Sequence, residues 1–362
     1  MIILNNLNNK KALIILSDNI YLTPYMEYYI NILKECNFDY DILYWDKNNN
    51  EFISKKNYFR FFCKKQGKIN KIMAYLKYKK IIMKMMKTDK YSLIIPLHMP
   101  IYFFVGIYLI IKWKKKYIFD VRDYSYERFM LFRFLERKLV KHSLINIISS
   151  NGYKNFLPKG EYYVHHNFLN KNYDNYKQHK NNNKTIQLSY IGLIRFMEQN
   201  KKIISFFKND DRFHLNFIGT NAEKLEDFCL MNNVKNVSLI GTFDSDKTLE
   251  FYSKSDGILN VYGNHDNLLD YALSNKLYYS ASMYKPILVS PETYMSKIAN
   301  EYNLGIELIM KDKKELDDLY NYFMKMNREK YIKNCDKFID MVVKDQQKTK
   351  TELINRIMME RN

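Results

Sequence analysis

Apolar residues fall along this chain in short bursts separated by runs of a different period. Lys11–Ser17 (KALIILS), Asp41–Trp45 (DILYW), Ser92–Pro96 (SLIIP), Tyr117–Phe119 and Leu144–Ile148 (LINII) are brief and rich in Ile and Leu, and each predicts a strand. Between them, Pro24–Glu35 reads as a helix and Pro100–Ile111 as a strongly apolar one, and Phe129–Lys141 repeats apolar residues at helical spacing. The pattern restarts with strand-like runs at Ile186–Ile191, Leu215–Ile218, Val237–Leu239, Gly257–Val261 and Pro286–Val289, most of them separated by helical runs. Strands and helices alternating at this spacing predict an α/β protein with parallel, doubly wound sheets.

The break between the two halves is polar. Asn170–Lys184 (NKNYDNYKQHKNNNK) is Asn-rich and has no apolar periodicity, which predicts a linker over residues 169–184. One α/β domain is expected over 1–168 and a second over 185–328. Residues 329–362 are expected to form a basic helix, about Glu329–Arg361, that packs back toward the first domain. A length of 362 residues is ample for two such cores.

Charge changes this picture in one place. The net charge of +19 accompanies abundant Lys, Asn, Ile and Tyr, as an AT-rich coding sequence produces, so its distribution says more than its size. Between Lys55 and Lys90 lie thirteen Lys/Arg and a single acid, Asp89, interleaved with Tyr58, Phe59, Phe61, Phe62, Ile72, Met73, Leu76, Ile81, Ile82 and Met85. A basic amphipathic stretch of this kind predicts contact with an anionic membrane surface, the alternative being a solvated helix whose Met/Ile stripe packs on the core. Pro100–Ile111 is too short to span a bilayer and is expected to be a buried helix, with shallow insertion as the alternative. Cys36, Cys63, Cys229 and Cys335 are scattered, which favours reduced thiols in a cytoplasmic protein. Asn5–Leu16 does not read as a signal peptide. No P-loop, GxSxG elbow or strand-following GxGxxG occurs, so nucleotide hydrolysis, acyl transfer and dinucleotide redox chemistry lack support.

Candidate chemistry gathers in the second half. Ser274-Asn275-Lys276 stands where a helix begins, before Lys285-Pro286 and a short strand, and the exposed N–H groups of such a helix start are a seat for phosphate. Gly192, Gly219 and Gly241 each follow a strand-like run, where α/β sheets bind ligands, and Arg195 with Lys201 and Lys202 follows the first of them. Asp244-Ser245-Asp246 spells D-x-D, but its setting predicts a cap before a helix at Lys247–Ser253 rather than a metal site. In the first half, Phe119-Asp120-Val121-Arg122-Asp123 through Glu127 leaves a strand and carries four charged residues, Asp120, Arg122, Asp123 and Glu127. A carboxylate held beside a guanidinium stays ionised and can take a hydroxyl proton, which makes Asp123 the candidate base, with Arg122 orienting it and Glu127 second. A structural Arg–Asp pair closing the loop is the alternative. His165 and His166 have no metal-ligand partner in the sequence pattern and read as loop residues.

Taken in order, these segments resemble the bacterial GT-B glycosyltransferases of the family-4 type, over about Lys11–Leu308. The segment Tyr271–Val289 (YALSNKLYYSASMYKPILV) is similar to that family's "PNKLYEALALGKPVI", and Gly192-Leu193-Ile194-Arg195 with Lys201 to its "G-x-(I/L)-R … K" loop. Phe119–Glu127 is similar to its acceptor-facing "(D/E)-(I/V)-R-D-x-x-x-E" loop. The resemblance implies two Rossmann-like domains facing across a cleft, and a sugar moved from a nucleotide diphosphate donor to a glycan, with the anomeric configuration retained. It implies donor contacts from Gly192, Arg195, Lys201, Gly219, Gly241, Thr242, Phe243, Tyr262, Asn264, Asn275, Lys276, Leu277 and Tyr279. The family's paired donor-site glutamates fall at Tyr271 and Tyr279, a departure that leaves a tyrosine hydroxyl to meet the ribose. No cofactor or metal ion is expected. With the basic first half, the acceptor is expected to be a lipid-linked oligosaccharide at the cytoplasmic membrane face, as in capsule or lipopolysaccharide synthesis. A catalytically inactive partner subunit of the same fold, and a basic nucleic-acid-binding protein, are the alternatives; the second lacks any recognisable nucleic-acid module.

Overall fold

The structure, a computed structural model, describes residues 10–63, 67–168, 173, 176 and 185–359. The expected linker at 169–184 lies outside the described residues except for Tyr173 and Tyr176. Two compact units form, one from residues 1–166 with 345–362 and one from 167–344.

The first unit holds strands β1 (Lys11–Leu16), β2 (Asp39–Trp45), β3 (Tyr58–Phe61), β4 (Leu93–Pro96), β5 (Ile118–Val121), β6 (Ile145–Ile148) and β7 (Tyr163–Val164). All pairings are parallel, in the orders β3-β2-β1-β4 and β5-β6-β7, and a parallel bridge from Ile94 to Tyr117 joins β4 to the start of β5. Helices α1 (Met26–Glu35), α2 (Gly67–Met86), α3 (Met99–Lys112) and α4 (Met130–His142) connect the strands. Strands β1, β4 and β6 are buried nearly throughout because parallel strands are covered on both faces.

The second unit holds β8 (Ile186–Ile191), β9 (Phe213–Ile218), β10 (Val237–Ile240), β11 (Gly257–Asn260), β12 (Ile287–Val289) and β13 (Gly305–Glu307) in one parallel sheet of order β10-β9-β8-β11-β12-β13. Around it lie α5 (Met197–Phe207), α6 (Glu226–Met231), α7 (Thr248–Ser253), α8 (Asn267–Asp270), α9 (Asn275–Ser282), α10 (Tyr294–Glu301) and α11 (Lys314–Lys325). The last helix, α12 (Arg328–Met359), serves both units. Its Tyr331, Cys335, Phe338 and Val342 enter the core of the second, and Leu353 and Ile357 enter that of the first.

Several expectations change in detail. Strands β3, β7 and β13 lie at sheet edges and are two to four residues long, too short for periodicity to mark. Helix α3 is only half buried: Ile101, Tyr102, Val105 and Leu109 face inward, whereas Phe103, Ile107 and Ile111 are exposed. Within the basic stretch, α2 buries Ala74, Tyr78, Ile82 and Met86 at four-residue spacing and leaves Ile72, Met73 and Leu76 outside. The Asp244 side chain makes no capping hydrogen bond; a 3-10 turn at Ser245–Lys247 leads into α7 instead.

Candidate functional site

The order of the second sheet places a switch point between β8 and β11, because the chain leaves these neighbours toward opposite edges. Ligands of open α/β sheets bind outside the carboxyl ends of strands at such a point. The loop after β8 carries Gly192 and Arg195, and the loop after β11 carries Tyr262 and Asn264. Next to them, Gly219 follows β9 with φ +136°, and a Cβ there would stand 2.0 Å from the Gly192 carbonyl oxygen. Only glycine permits this approach, so the loops after β8 and β9 interlock through their backbones. Farther out, Gly241 ends the edge strand β10, and the Thr242 hydroxyl lies 3.0 Å from that of Thr220. Phe243 turns inward and packs edge-on against Phe251.

Lys276 occupies the centre of this region. Ser274 caps α9, its hydroxyl accepting from the Lys276 N–H at 3.2 Å. The Lys276 side chain is buried; its ammonium donates to the Tyr262 hydroxyl at 2.7 Å and lies 4.2 Å from the centre of the Tyr190 ring. Burial pushes its pKa down to about 8, Tyr190 opposing the shift and Arg195 adding to it. Neither Lys276 nor Arg195 is paired with a carboxylate among the described residues. Arg195 is exposed, with its N–H directed to the Tyr190 hydroxyl at 3.3 Å. Phe196, just before helix α5, lies in the left-handed region at φ +57° and gives the helix no side-chain cap. A buried cation, an exposed cation and an uncapped helix start together make this a candidate anion site.

The remaining candidates divide. Asn275 is exposed at the first position of α9. The Asn264 amide donates to the Pro291 carbonyl at 3.3 Å. Lys201 pairs with Glu198 at 2.8 Å on the surface of α5 and lies over the Phe228 ring, so its charge is already partnered. Leu277 was expected among the donor contacts, but its side chain is sealed in the core, where the inward face of α9 must be apolar. Tyr279 packs its ring against Tyr252 and Tyr173, with centroids 5.0 and 6.3 Å away, while its hydroxyl makes no hydrogen bond with the described residues.

The charged loop of the first unit is organised differently from expectation. Arg122 was expected to orient Asp123; its guanidinium grips Asp120, Nε to Oδ1 at 2.7 Å and Nη2 to Oδ2 at 2.9 Å. Asp120 lies in β5 and Arg122 directly follows it, and extended chain points residues two apart to the same face. Nη1 donates to the His165 carbonyl at 2.9 Å, and the guanidinium lies 4.5 Å from the centre of the Tyr25 ring. Burial works against the charge of Arg122, and Asp120, Tyr29 and Tyr25 together more than offset it, so its pKa is raised. Tyr29 donates to Asp120 at 2.6 Å, and the His165 ring lies 3.7 Å from that of Tyr28. Burial, then Arg122, holds His165 well below the ordinary histidine range, in its neutral form. Asp123 is exposed, whereas Glu127 is buried and accepts from the Ser125 N–H. Burial raises the Glu127 pKa.

Periodicity missed most of this network. Tyr25, Tyr28 and Tyr29 follow the spacing of ordinary core residues on α1, and Asp120 reads as part of a strand. His165 and His166 lie in the loop after β7, as expected, but both are buried, and His166 Nε2 lies 3.2 Å from Asp345. Their pairing beside one another at the exit of β7 was the one available signal. No group of three or more His, Cys, Asp or Glu suited to a metal ion occurs among the described residues.

No protein-family model matches the chain, and no curated protein matches it either. Solved structures do. A sucrose-phosphate synthase from Thermosynechococcus elongatus superposes with a TM-score of 0.70 at 9% identity, covering 97% of this chain and 99% of that one. The lipopolysaccharide outer core galactosyltransferase WaaB gives 0.64 at 12% identity, over 97% and 99%. Anabaena HepE, in complex with UDP and glucose, gives 0.64 at 12% identity, over 94% and 98%. At these identities the likeness speaks to architecture: the chain has the fold of GT-B glycosyltransferases, built from two Rossmann-like units.

Proposed function

We propose that this protein is a glycosyltransferase that transfers a sugar from a nucleotide diphosphate donor to a glycan acceptor. The observation that carries the reading is Lys276: a buried ammonium on aromatic rings, with Arg195 nearby and no carboxylate partner. Such a site is incomplete without an anion, and a diphosphate supplies one. As the glycosidic bond breaks, negative charge grows on the leaving diphosphate. Lys276, Arg195 and the start of α5 then stabilise the transition state more than the ground state. The complex of HepE with UDP and glucose supports the same donor class.

In this reading Gly192, Gly219, Gly241 and Thr242 let the donor approach the backbone, Tyr262 holds Lys276, and Asn275 and the Tyr279 hydroxyl meet the ribose or the sugar. Asp123 positions the acceptor hydroxyl, with the Asp120–Arg122–His165 network fixing the loop from which it projects. The configuration is retained, a donor phosphate oxygen taking the acceptor proton, and no metal ion is required. The acceptor is a lipid-linked oligosaccharide of bacterial surface polysaccharide synthesis, presented at the cytoplasmic membrane face; the likeness to WaaB supports this pathway class. No described helix is long and apolar enough to cross a membrane, so attachment would be peripheral.

A thermal-shift panel of UDP, GDP, CDP, ADP, TDP and their sugar conjugates tests the donor site. A ligand at 100-fold its Kd stabilises the fold by about 2.7 kcal/mol, and the shift is expected with one base and lost in Lys276→Met. Silence across the panel from folded protein overturns the reading. The partner-subunit reading rests on Tyr271 and Tyr279, which stand where the family has carboxylates. It predicts a folded protein that turns over no donor with any acceptor.

A further inference from the structure

On the first unit, α4 and the segment between β6 and β7 line an open cavity of about 730 Å³. Its walls are strongly cationic: Lys115, Arg133, Arg137, Lys141, Lys159 and Arg356 line it, against one acid, Glu161. That acid is already neutralised by Arg356 at 2.7 Å. Arg137, Lys141 and Lys159 make no side-chain hydrogen bond or ion pair with the described residues.

The adjoining face of α4 is apolar and open to solvent. Met130 and Leu131 are each 88% exposed and Phe134 62%, on a helix whose other side buries Phe132, Leu139 and Val140. At about 100° per residue, Met130 and Phe134 fall between the cavity-lining Arg133 and Arg137 on one side and Leu135 on the other, with Lys141 interleaved between them farther along the helix. Leu135 in turn packs against Gly106 of α3. Across that contact α3 presents Phe103, Ile107 and Ile111, the last two 67% exposed, and then Lys112, Lys114, Lys115 and Lys116. One surface therefore runs from an apolar helix pair to a cation-lined cavity.

We propose that this surface docks on an anionic lipid bilayer: the cavity receives a phosphate headgroup, and Ile107, Ile111, Met130, Leu131 and Phe134 enter the apolar boundary beneath it. The inference rests on the membrane reading above and moves its site from the basic α2 stretch to α3 and α4. Charge complementarity selects the occupant. A protein partner of matching apolar surface would not need unpaired guanidinium and ammonium groups around a cavity of this size, whereas anionic headgroups do.

Co-sedimentation of the full chain with phosphatidylglycerol and phosphatidylcholine vesicles tests it. The wild type is expected on the anionic vesicles alone. Arg137→Glu with Lys141→Glu, and separately Leu131→Ser with Phe134→Ser, should each lower that affinity at least tenfold with unchanged melting temperatures. Lys77→Glu with Lys80→Glu on α2 should leave it within a factor of a few. Phe134→Trp should be quenched by brominated acyl chains. If the α2 pair abolishes binding and the α3–α4 variants keep it, this inference falls while the membrane reading stands. If the wild type binds neither vesicle, both fall. Calorimetric binding of inorganic pyrophosphate that is lost in Arg137→Glu/Lys141→Glu, with vesicle binding intact, assigns the cavity to a soluble phosphate and overturns the lipid assignment.

Discussion

The Lys276 ammonium donates to the Tyr262 hydroxyl at 2.7 Å. That bond ties the start of α9 to the loop after β11, and it holds a charge from which burial has removed most of its water. The pKa of about 8 in the folded chain lies below the ordinary lysine value of 10.5. The folded state therefore binds fewer protons than the unfolded state between pH 8 and 10.5, and stability rises with pH across that window. Below pH 8 the full cost of the buried charge is present. Lys276→Met should stabilise the ligand-free protein at pH 7 by on the order of 2 kcal/mol and remove that rise. It should also remove the nucleotide diphosphate response and lower turnover about 10²-fold or more. Paired thermal melts at pH 7 and 10 with activity assays check both.

Gly219→Ala tests the interlocked loops. The added Cβ meets the Gly192 backbone oxygen, an atom with no rotamer to escape into, at a residue whose φ is +136°. Destabilisation of about 2–4 kcal/mol is expected by denaturant titration. Gly241→Ala, where nothing lies within 4 Å of the new carbon, should cost less than about 1 kcal/mol.

Asp120 and Asp123 should separate cleanly. Asp120→Asn strips a buried guanidinium of its ion pair and should cost about 3–5 kcal/mol. Exposed Asp123→Asn should change stability by about 0.5 kcal/mol or less while reducing turnover. If Asp123→Asn leaves kcat and KM untouched, its acceptor role is lost.

Glu136, on α4, gives a pH signature of opposite sign to Lys276. It is wholly buried, neither carboxyl oxygen has a hydrogen-bond partner among the described residues, and burial, with Glu127 second, raises its pKa from 4.5 to about 8. The folded carboxyl stays protonated while the unfolded one ionises, so its stability contribution is full below pH 4.5 and is lost as pH rises to about 8. Glu136→Gln should stabilise the protein at pH 8 by on the order of 2 kcal/mol and leave pH 4 stability nearly unchanged. Urea midpoints at the two pH values check this.

The sequence by itself determined the alternation of strand and helix, because a strand buried on both faces must be an unbroken apolar run and a packed helix must repeat its apolar face. Ile186–Ile191 and Leu144–Ile148 were legible for that reason, and so was the helix start at Ser274-Asn275-Lys276, where capping chemistry is local. Edge strands β3, β7 and β13 were not, since two to four residues partnered on one side carry no period. Tertiary structure alone decided which aspartate Arg122 holds, that Leu277 is core, and that Tyr190 and Tyr262 surround Lys276. Each of those outcomes depends on side chains from separate segments meeting in space. Burial then sets their charge, and no local pattern encodes burial.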